Sequence, residues 1–462
     1  MASNAASHST KPSSTNKLWT VGTLTYTSAG LIALFCWLLW GDFAWSMKDR
    51  SILPAIQLLL KKYGASDTFS GILIGALPAA INIILTPIIS YKSDYYRSRW
   101  GRRIPFILAA TPLATLALFG VAFSPSIGTL IHWALGSWSP GMDTSILISI
   151  AVCWTVSGIA GTAYSIFLAL INDVVPESLL GRFFGMFRAL SLIAGMIFNT
   201  WLLDKSETRY AEIFVGIGLF YGIGFTLSCF KVKEGEYPPP PVVTTPSHAH
   251  GGVFGSIFSY LTDCFGHSYY LCFFATFALM STAFYPINLF SLYYAKSLGM
   301  NMSGYGYCLT LTYLISLIIS YPLGVLADRF HPLRVSLIIQ VFYGIVSLLG
   351  GIFAMTPWTF AIGFIAHGVL SGTWFTASAS LGQRLLPKDK FAQFYSAMGI
   401  VTCFGALLIS PIMGKILDCT DHAYRNTFYV GFLLTAASLA FGWKLHRRFM
   451  ELGGPKNYIA PE

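Results

Sequence analysis

Apolar stretches of about twenty residues follow one another along nearly the whole chain, and nothing else in the sequence constrains the fold as strongly. In hydrocarbon every backbone N–H and C=O has to be satisfied within the segment, so these stretches predict membrane-spanning helices. The expected spans are 30–60, 69–91, 104–124, 145–171, 184–203, 211–230, 268–293, 304–326, 334–354, 357–382, 393–415 and 426–446. Lys48, Asp49 and Arg50 interrupt the first. Yet SILPAIQLLL, 51–60, is too short to cross alone, so one long helix kinked at Pro54 is expected. Only 10% of the 462 residues are charged, against about 25% in a soluble domain.

The net charge of +10 does not mark a nucleic-acid binder. The basic residues sit in short gaps between apolar runs, with no basic block interleaved with aromatics. Most of the 29 Lys and Arg, Lys92, Arg97, Arg102, Arg103, Arg182 and Arg188 among them, fall on the side of the N-terminus. By the positive-inside rule both termini are expected in the cytoplasm, in a plasma or bacterial inner membrane. Residues 1–24 lack a signal-peptide pattern and read as a disordered tail. The eight cysteines show no CxxC spacing and are expected to be free thiols.

The longest polar interruption, 231–267, begins KVKEGEYPPPPVVTTPSHAHGG. Its prolines favour polyproline II. Phe254, Ile257, Phe258 and Leu261 then form an apolar helical stripe suited to lying on the inner leaflet. This linker separates a six-helix bundle over 25–230 from a second over 268–447, with a tail at 448–462. The halves echo one another: VVPESLLGRFFGMF follows span four and LLPKDKFAQFYSAM follows span ten, with Pro176 and Phe183 matching Pro387 and Phe394. Two related halves are the mark of a secondary transporter with its site at the midplane between them. Chance likeness of short basic loops is the alternative.

WLLWGDFAW, 37–45, places Asp42 among aromatic and aliphatic side chains. A carboxylate at the centre of a membrane helix costs about 2.5–3.5 kcal/mol, so it needs a partner, a proton or a water-filled cavity. Asp42, Trp45, Ser46 and Asp49 share a helical face, with Arg50 beside Asp49. Carboxylates accept hydrogen bonds from sugar hydroxyls, and an indole stacks on an apolar sugar face. A desolvated carboxyl can also take up and release a proton as a cavity changes sides. For Asp49 a pair with Arg50 or Lys48 near the outer surface is an equal alternative. His367, mid-span with Ser371 and Trp374 on its face, is a second proton-coupling candidate. Asn82, Tyr285 and Asn288 are candidate substrate contacts. Asn199 is another, although interhelical hydrogen bonding is the more common role for each asparagine.

The loop SDYYRSRWGRRIPFI, 93–107, is the most specific motif. Asp94, Ser98, Gly101, Arg102, Arg103, Pro105 and Phe106 match D-x-x-x-S-x-x-G-R-R-x-P-F, and GVLADR at 324–329 ends in Asp328 and Arg329 with G-x-x-x-D-R spacing. In these residues the chain resembles the major facilitator superfamily. More narrowly it is similar to the plant sucrose–proton symporters and the glycoside–pentoside–hexuronide cation symporters, whose G-D-F-A motif it repeats at 41–44. The resemblance implies an all-α membrane protein, twelve helices in two six-helix halves, that moves a sugar or glycoside with protons. An Asp at a helix end can pair with an Arg of the neighbouring bundle, so Asp94, Gly101, Arg102 and Arg103, with Asp328 and Arg329, are expected to form a cytoplasmic gate; simple positive-inside anchoring is the alternative. Leu168 stands where the sucrose carriers have an Arg, which puts sucrose itself in doubt, and no carboxylate cluster suggests a sodium site.

No phosphate loop, HExxH, nucleophile elbow or metal-ligand spacing points to an enzyme, a cofactor or a metal. The expected partners are a small-molecule substrate, protons and the bilayer, for a monomeric protein. The alternatives are an exporter of an amphipathic compound, which 16% aromatic residues would suit, and a non-transporting receptor of the same fold.

Overall fold

The computed structural model describes residues 18–237, 260–388 and 390–461. Among the described residues, twelve helices are long and apolar enough to cross a membrane: α1 (Ser28–Lys62), α2 (Asp67–Tyr95), α3 (Ile104–Ala122), α4 (Met142–Val174), α5 (Glu177–Trp201), α6 (Tyr210–Lys231), α7 (Ser268–Ser297), α8 (Met302–Phe330), α9 (Pro332–Phe353), α10 (Pro357–Leu385), α11 (Gln393–Cys419) and α12 (Asn426–Glu451). Their even number returns the chain to the face from which α1 starts, called here the terminal face. Local chemistry sets the ends. Thr27, Ser66 and Asn301 accept from the backbone N–H three residues on, and Thr356 forms a capping box with Thr359.

Helix α1 runs unbroken through Lys48–Asp49–Arg50 and past Pro54, as expected. Several irregularities were not legible in the sequence, among them breaks in α4 at Thr162 and in α10 at Ala379–Ser380. A π-helical turn over Ile72–Ala76 widens α2. Helix α7 breaks at Phe284, just before Pro286, which cannot donate a backbone bond. A further helix, Ser124–Leu135, extends α3 past the expected end of span three. At the N-terminus, part of the stretch expected to be a disordered tail is ordered: Trp19–Val21 (β1) and Leu24–Tyr26 (β2) pair as an antiparallel hairpin. Gly22, at φ +55, turns it, and Thr23 Oγ1 accepts from Glu236 N–H at 2.8 Å, tying it to the segment after α6. Of the expected linker stripe, Phe254, Ile257 and Phe258 lie outside the described residues; Leu261 is exposed, in a helical stretch at 260–265. All eight cysteines are free thiols.

The halves are joined on one side. A single apolar cluster crosses between them, uniting Ile52, Ile56, Leu59 and Phe214 of the first half with Ile287, Phe290, Leu417 and Phe428 of the second. The other clusters stay within one half. Helices α2 and α11 approach so closely that a Cβ on Gly71 would run into the carbonyl oxygen of Ser410, and one on Gly414 into that of Asp67. Gly181, Gly185, Gly324 and Gly399, toward the terminal face, have open space beside them. The molecule is therefore closed on the face opposite the termini.

This contrast fixes an expected outcome. Gly71→Ala forces α2 off α11 and lowers the thermal stability of the purified protein, by about 1–3 kcal/mol as for other overpacked contacts. Gly399→Ala, in open space, keeps or slightly raises it through helix propensity. Thermal melts of the two variants check the pair.

Candidate functional site

Two adjoining cavities lie between the halves and share Asp49 and Leu53 in their walls. The first, of about 400 Å³, is bounded by α1, α5, α7, α8 and α10, and its polar lining includes Arg50, Gln57, Arg188, Asn199, Asn288 and His367. The second, of about 630 Å³, lies among α1, α2, α4 and α11, with Trp45, Lys48, Asn82 and Tyr164 in its wall. Asp49 is the one acid on either wall among the described residues.

In the first cavity Arg50 reaches across the halves. Its Nη1 donates to Tyr313 OH and its Nη2 to Ser191 Oγ, each at 3.4 Å. Arg188 is one turn before Ser191 on α5. His367 is buried, with Nδ1 2.9 Å from Tyr343 OH and Nε2 3.1 Å from Asn288 Oδ1. The acceptor oxygen of Asn288 sets the proton on Nε2, and Tyr343 can donate to Nδ1 or to Ala283 C=O, 3.3 Å away beside the α7 break. Asn199 is 2% exposed, and neither end of its amide finds a partner among the described residues.

Asp42 sits one layer behind the second cavity. It is fully buried, and its Oδ1 accepts from Ser46 Oγ at 3.4 Å and Tyr164 OH at 3.3 Å. Its Oδ2 has no partner among the described residues. Tyr164 stacks on Trp45 at 4.3 Å and 8°, and Lys48 Nζ lies 3.9 Å from the Trp45 ring centroid. Asp42, Tyr164, Trp45 and Lys48 thus form a column from the helix interior to the cavity wall.

The closed face carries a polar joint. Asp418, near the end of α11, accepts from the backbone N–H groups of Asp67 and Thr68 at 2.9 Å, capping α2 from the opposite half. Buried Asp67 meets His422 Nδ1 at 2.6 Å, Tyr424 OH at 3.2 Å and Lys61 Nζ at 3.6 Å. Asp67, Asp418 and His422 bring potential metal-ligand atoms within 4.8 Å of one another, but Lys61 already supplies a positive charge there. Lys296–Glu207 at 2.5 Å and Thr200–Thr310 at 2.9 Å complete the joint.

The terminal-face loops behave differently. Arg103 pairs with Asp94 at 2.5 Å, and Arg102 and Arg103 both reach Asp173 of α4, at 2.7 and 3.1 Å. Glu234 accepts from the backbone N–H groups of Arg102, Arg103 and Ile104. A Cβ on Gly101, at φ +104, would run into Glu234, so the glycine permits this turn. Burial pulls the Arg102 guanidinium down, but Asp173 outweighs it and holds the group above its ordinary value. In the second half Asp328 pairs with Arg384 at 2.7 Å.

A sequence model described as the Major Facilitator Superfamily matches residues 38–291 and 271–457. The chain belongs to this superfamily. Solute carrier family 45 member 4 of Mus musculus is 26% identical over 209 residues, 43% of this chain and 25% of that protein. Sucrose transport protein SUC4 of Arabidopsis thaliana is 21% identical over 244 residues, 49% of this chain and 45% of that protein. The matches thus span less than half the length of either relative. Among solved structures, the nucleoside transporter NupG superposes with a TM-score of 0.66 at 11% identity, over 90% of this chain and all of that one. A D-xylose–proton symporter gives 0.65 at 14% identity, over 90% and 97%. At these identities the likeness is one of fold: a twelve-helix membrane transporter in two halves.

Against this frame of two halves, the expected site residues divide. Asp49, Arg50, Asn82, Asn288 and His367 line the central cavities. Asp49 forms no ion pair with Lys48 or Arg50 among the described residues, so the surface-pair alternative is not met. Four expectations need correction. Trp374 is 1% exposed in the apolar core of the second half, against Phe277 and Phe284, and lines neither cavity. Tyr285, beside the α7 break, packs against the shared apolar cluster instead. Trp45 does reach a cavity wall, but Tyr164 and Lys48 occupy its ring, leaving no open face for a sugar. The loop acids pair within their own halves, and Arg329 lies over Phe330 rather than on a carboxylate. With the terminal face open, neither Asp94 nor Asp328 pairs with an arginine of the other bundle among the described residues.

Sequence reasoning missed Lys48 and Arg188 as wall residues, and Asp173 and Glu234 as loop anchors. By sequence Arg188 counts among the basic residues of the N-terminal side, but α5 begins at Glu177 and carries it roughly 16 Å into the bundle. Lys48 follows Trp45 by three residues, a spacing that could have placed its ammonium on the indole.

The polar joint yields a test. Asp418→Ala removes the cap that α2 receives from α11, which is expected to cost about 1 kcal/mol and to loosen the closed face. A cysteine replacing Ser291, in a chain stripped of its own reactive thiols, should then react severalfold faster with an impermeant reagent added from that face.

Proposed function

We propose that this chain is a proton-coupled transporter of a sugar or glycoside. It works by alternating access, with both termini in the cytoplasm of a cell membrane. The observation that carries the reading is the pairing of a sealed face, built from both halves, with mid-depth cavities whose walls hold hydrogen-bonding side chains and one acid. The named activities of the sucrose carrier and the D-xylose–proton symporter support sugar as cargo. The protein acts as a monomer, since each half supplies part of the site within one chain.

Asp42 is the proton carrier in this scheme. Its Oδ2, bare in the helix interior, is where a proton removes the charge, and Tyr164 connects the carboxyl to the cavity wall. His367 stands in the other half with both ring nitrogens engaged, and Asn288 relays its state to the first cavity. Asp49 faces both cavities and accepts cargo hydroxyls. When the halves rock, Asp94 and Asp328 leave their present partners and meet arginines across the terminal face, with Arg102, Arg103, Arg329 and Gly101 shaping that closed state.

In proteoliposomes with an imposed pH gradient, the wild type should accumulate a labelled sugar above equilibrium. Asp42→Asn should only equilibrate it. Equal accumulation by both proteins removes Asp42 as the coupling site, and gradient-independent wild-type behaviour removes proton coupling.

A further inference from the structure

The cavities hold more positive charge than a neutral cargo needs. Lys48, Arg50 and Arg188 stand in their walls, and none of the three forms an ion pair among the described residues. Elsewhere the chain treats its cations differently: Arg102, Arg103, Arg384 and Lys296 each meet a carboxylate at 2.5–3.1 Å. Lys48 is accommodated by aromatic faces, 3.9 Å from Trp45 and 5.3 Å from Tyr221. Arg50 has two long hydrogen bonds to hydroxyls and the Tyr313 ring at 5.1 Å. Arg188 makes no hydrogen bond among the described residues, although Arg50 is close enough to act on it electrostatically.

Two adjacent guanidinium groups of like charge in a site of reduced dielectric repel one another. Asp49 is the one acid facing them, so at least one cation remains uncompensated on the first cavity's wall. A guanidinium presents a planar fork of donors that matches a carboxylate or a phosphate in bidentate geometry. Farther into the closed end of the same cavity, Asn199 offers an amide whose donor and acceptor are both unused and buried. A buried amide without partners is expensive to keep unless a ligand completes it. Gln57 spends its Nε2 on Leu289 C=O at 2.8 Å, leaving its oxygen as an acceptor.

From this arrangement we infer that the cargo is an acidic polyol, its carboxylate or phosphate held by Arg50 and Arg188 while its hydroxyls meet Asn199 and Gln57. The inference rests on the sugar reading above and narrows it to sugars that carry one acidic group. It has an electrical consequence. A neutral sugar entering with one proton moves net positive charge, whereas a monoanionic sugar entering with one proton moves none.

The purified 462-residue chain is titrated with glucose, glucuronate, glucose 6-phosphate and benzoate, following heat of binding. Glucuronate or glucose 6-phosphate should bind at least about tenfold more tightly than glucose, the difference a charge-assisted bidentate contact supplies. Whichever acid wins identifies the group as carboxylate or phosphate. The preference should collapse in Arg188→Gln and return in part in Arg188→Lys, with melting curves showing that both variants fold. Equal affinity for glucose and the acids, the same preference in Arg188→Gln, or no binding by any anion overturns the inference. Glucose binding alone overturns it while keeping the sugar reading. Benzoate bound as tightly as the sugar acids keeps the anion site and removes the sugar reading.

Discussion

Charge held at mid-depth in a hydrocarbon-embedded bundle is the condition on which the rest of this molecule depends. Asp42, Lys48, Asp49, Arg50 and Arg188 all sit there, where an unassisted charge is costly. Three kinds of assistance are visible. Asp42 takes two hydroxyl donors, Lys48 takes aromatic faces, and Asp49, Arg50 and Arg188 take cavities. None forms an internal ion pair among the described residues. An ion pair would have satisfied both partners and left nothing for a ligand or a proton to do.

Those cavities exist because the halves touch on one side only. Apolar packing among Ile56, Phe290 and Phe428 and the joint around Asp67 hold the far ends together. Toward the terminal face the walls diverge past Gly181, Gly324 and Gly399. The close approach of α2 to α11 depends on Gly71 and Gly414, and the π turn over Ile72–Ala76 lies within that contact. The features that seal the far face are thus backbone features, made possible by missing side chains.

How much of this could be read beforehand follows from range. The twelve spans, the long α1 and the division into halves were legible, because hydropathy and helix length act within one segment. Asp42 and Asp49 stood out for the same reason: a carboxylate in an apolar run is conspicuous without any neighbour. What stayed hidden depends on contacts between segments. Trp374 and Ser371 fall on one expected helical face, yet only Ser371 reaches the cavity, because Phe277 and Phe284 from α7 cover the indole. Arg188 counts toward the basic side of the membrane by its place near the start of span five, yet α5 begins seven residues earlier, at Glu177, and carries it to the cavity wall. Asp173 lay in plain view in FLALIND, 167–173, but its partners Arg102 and Arg103 are some seventy positions away.

The two faces also differ in how easily their polar contacts can be exchanged. On the terminal face, Asp328–Arg384 is exposed, at 75% and 38%, and a pair of that kind contributes about 0–1 kcal/mol. Trading it for a contact across the halves therefore costs little in either direction. On the far face Asp67 is fully buried among His422, Tyr424 and Lys61, and Asp418 holds two backbone donors. Charge-assisted bonds of this kind are stronger than an exposed pair, and opening the face exposes them together. Water entering the opened face recovers part of that cost, because hydrated carboxylates and backbone donors regain partners. Apolar surface around Phe290 and Leu417 gains nothing from water, so the hydrophobic seam opposes opening more persistently than the polar joint does. In the proposed cycle, binding has to bias the far face against that seam, and the polar side chains in the cavity wall just beneath it are Gln57, Asn199 and Ser291.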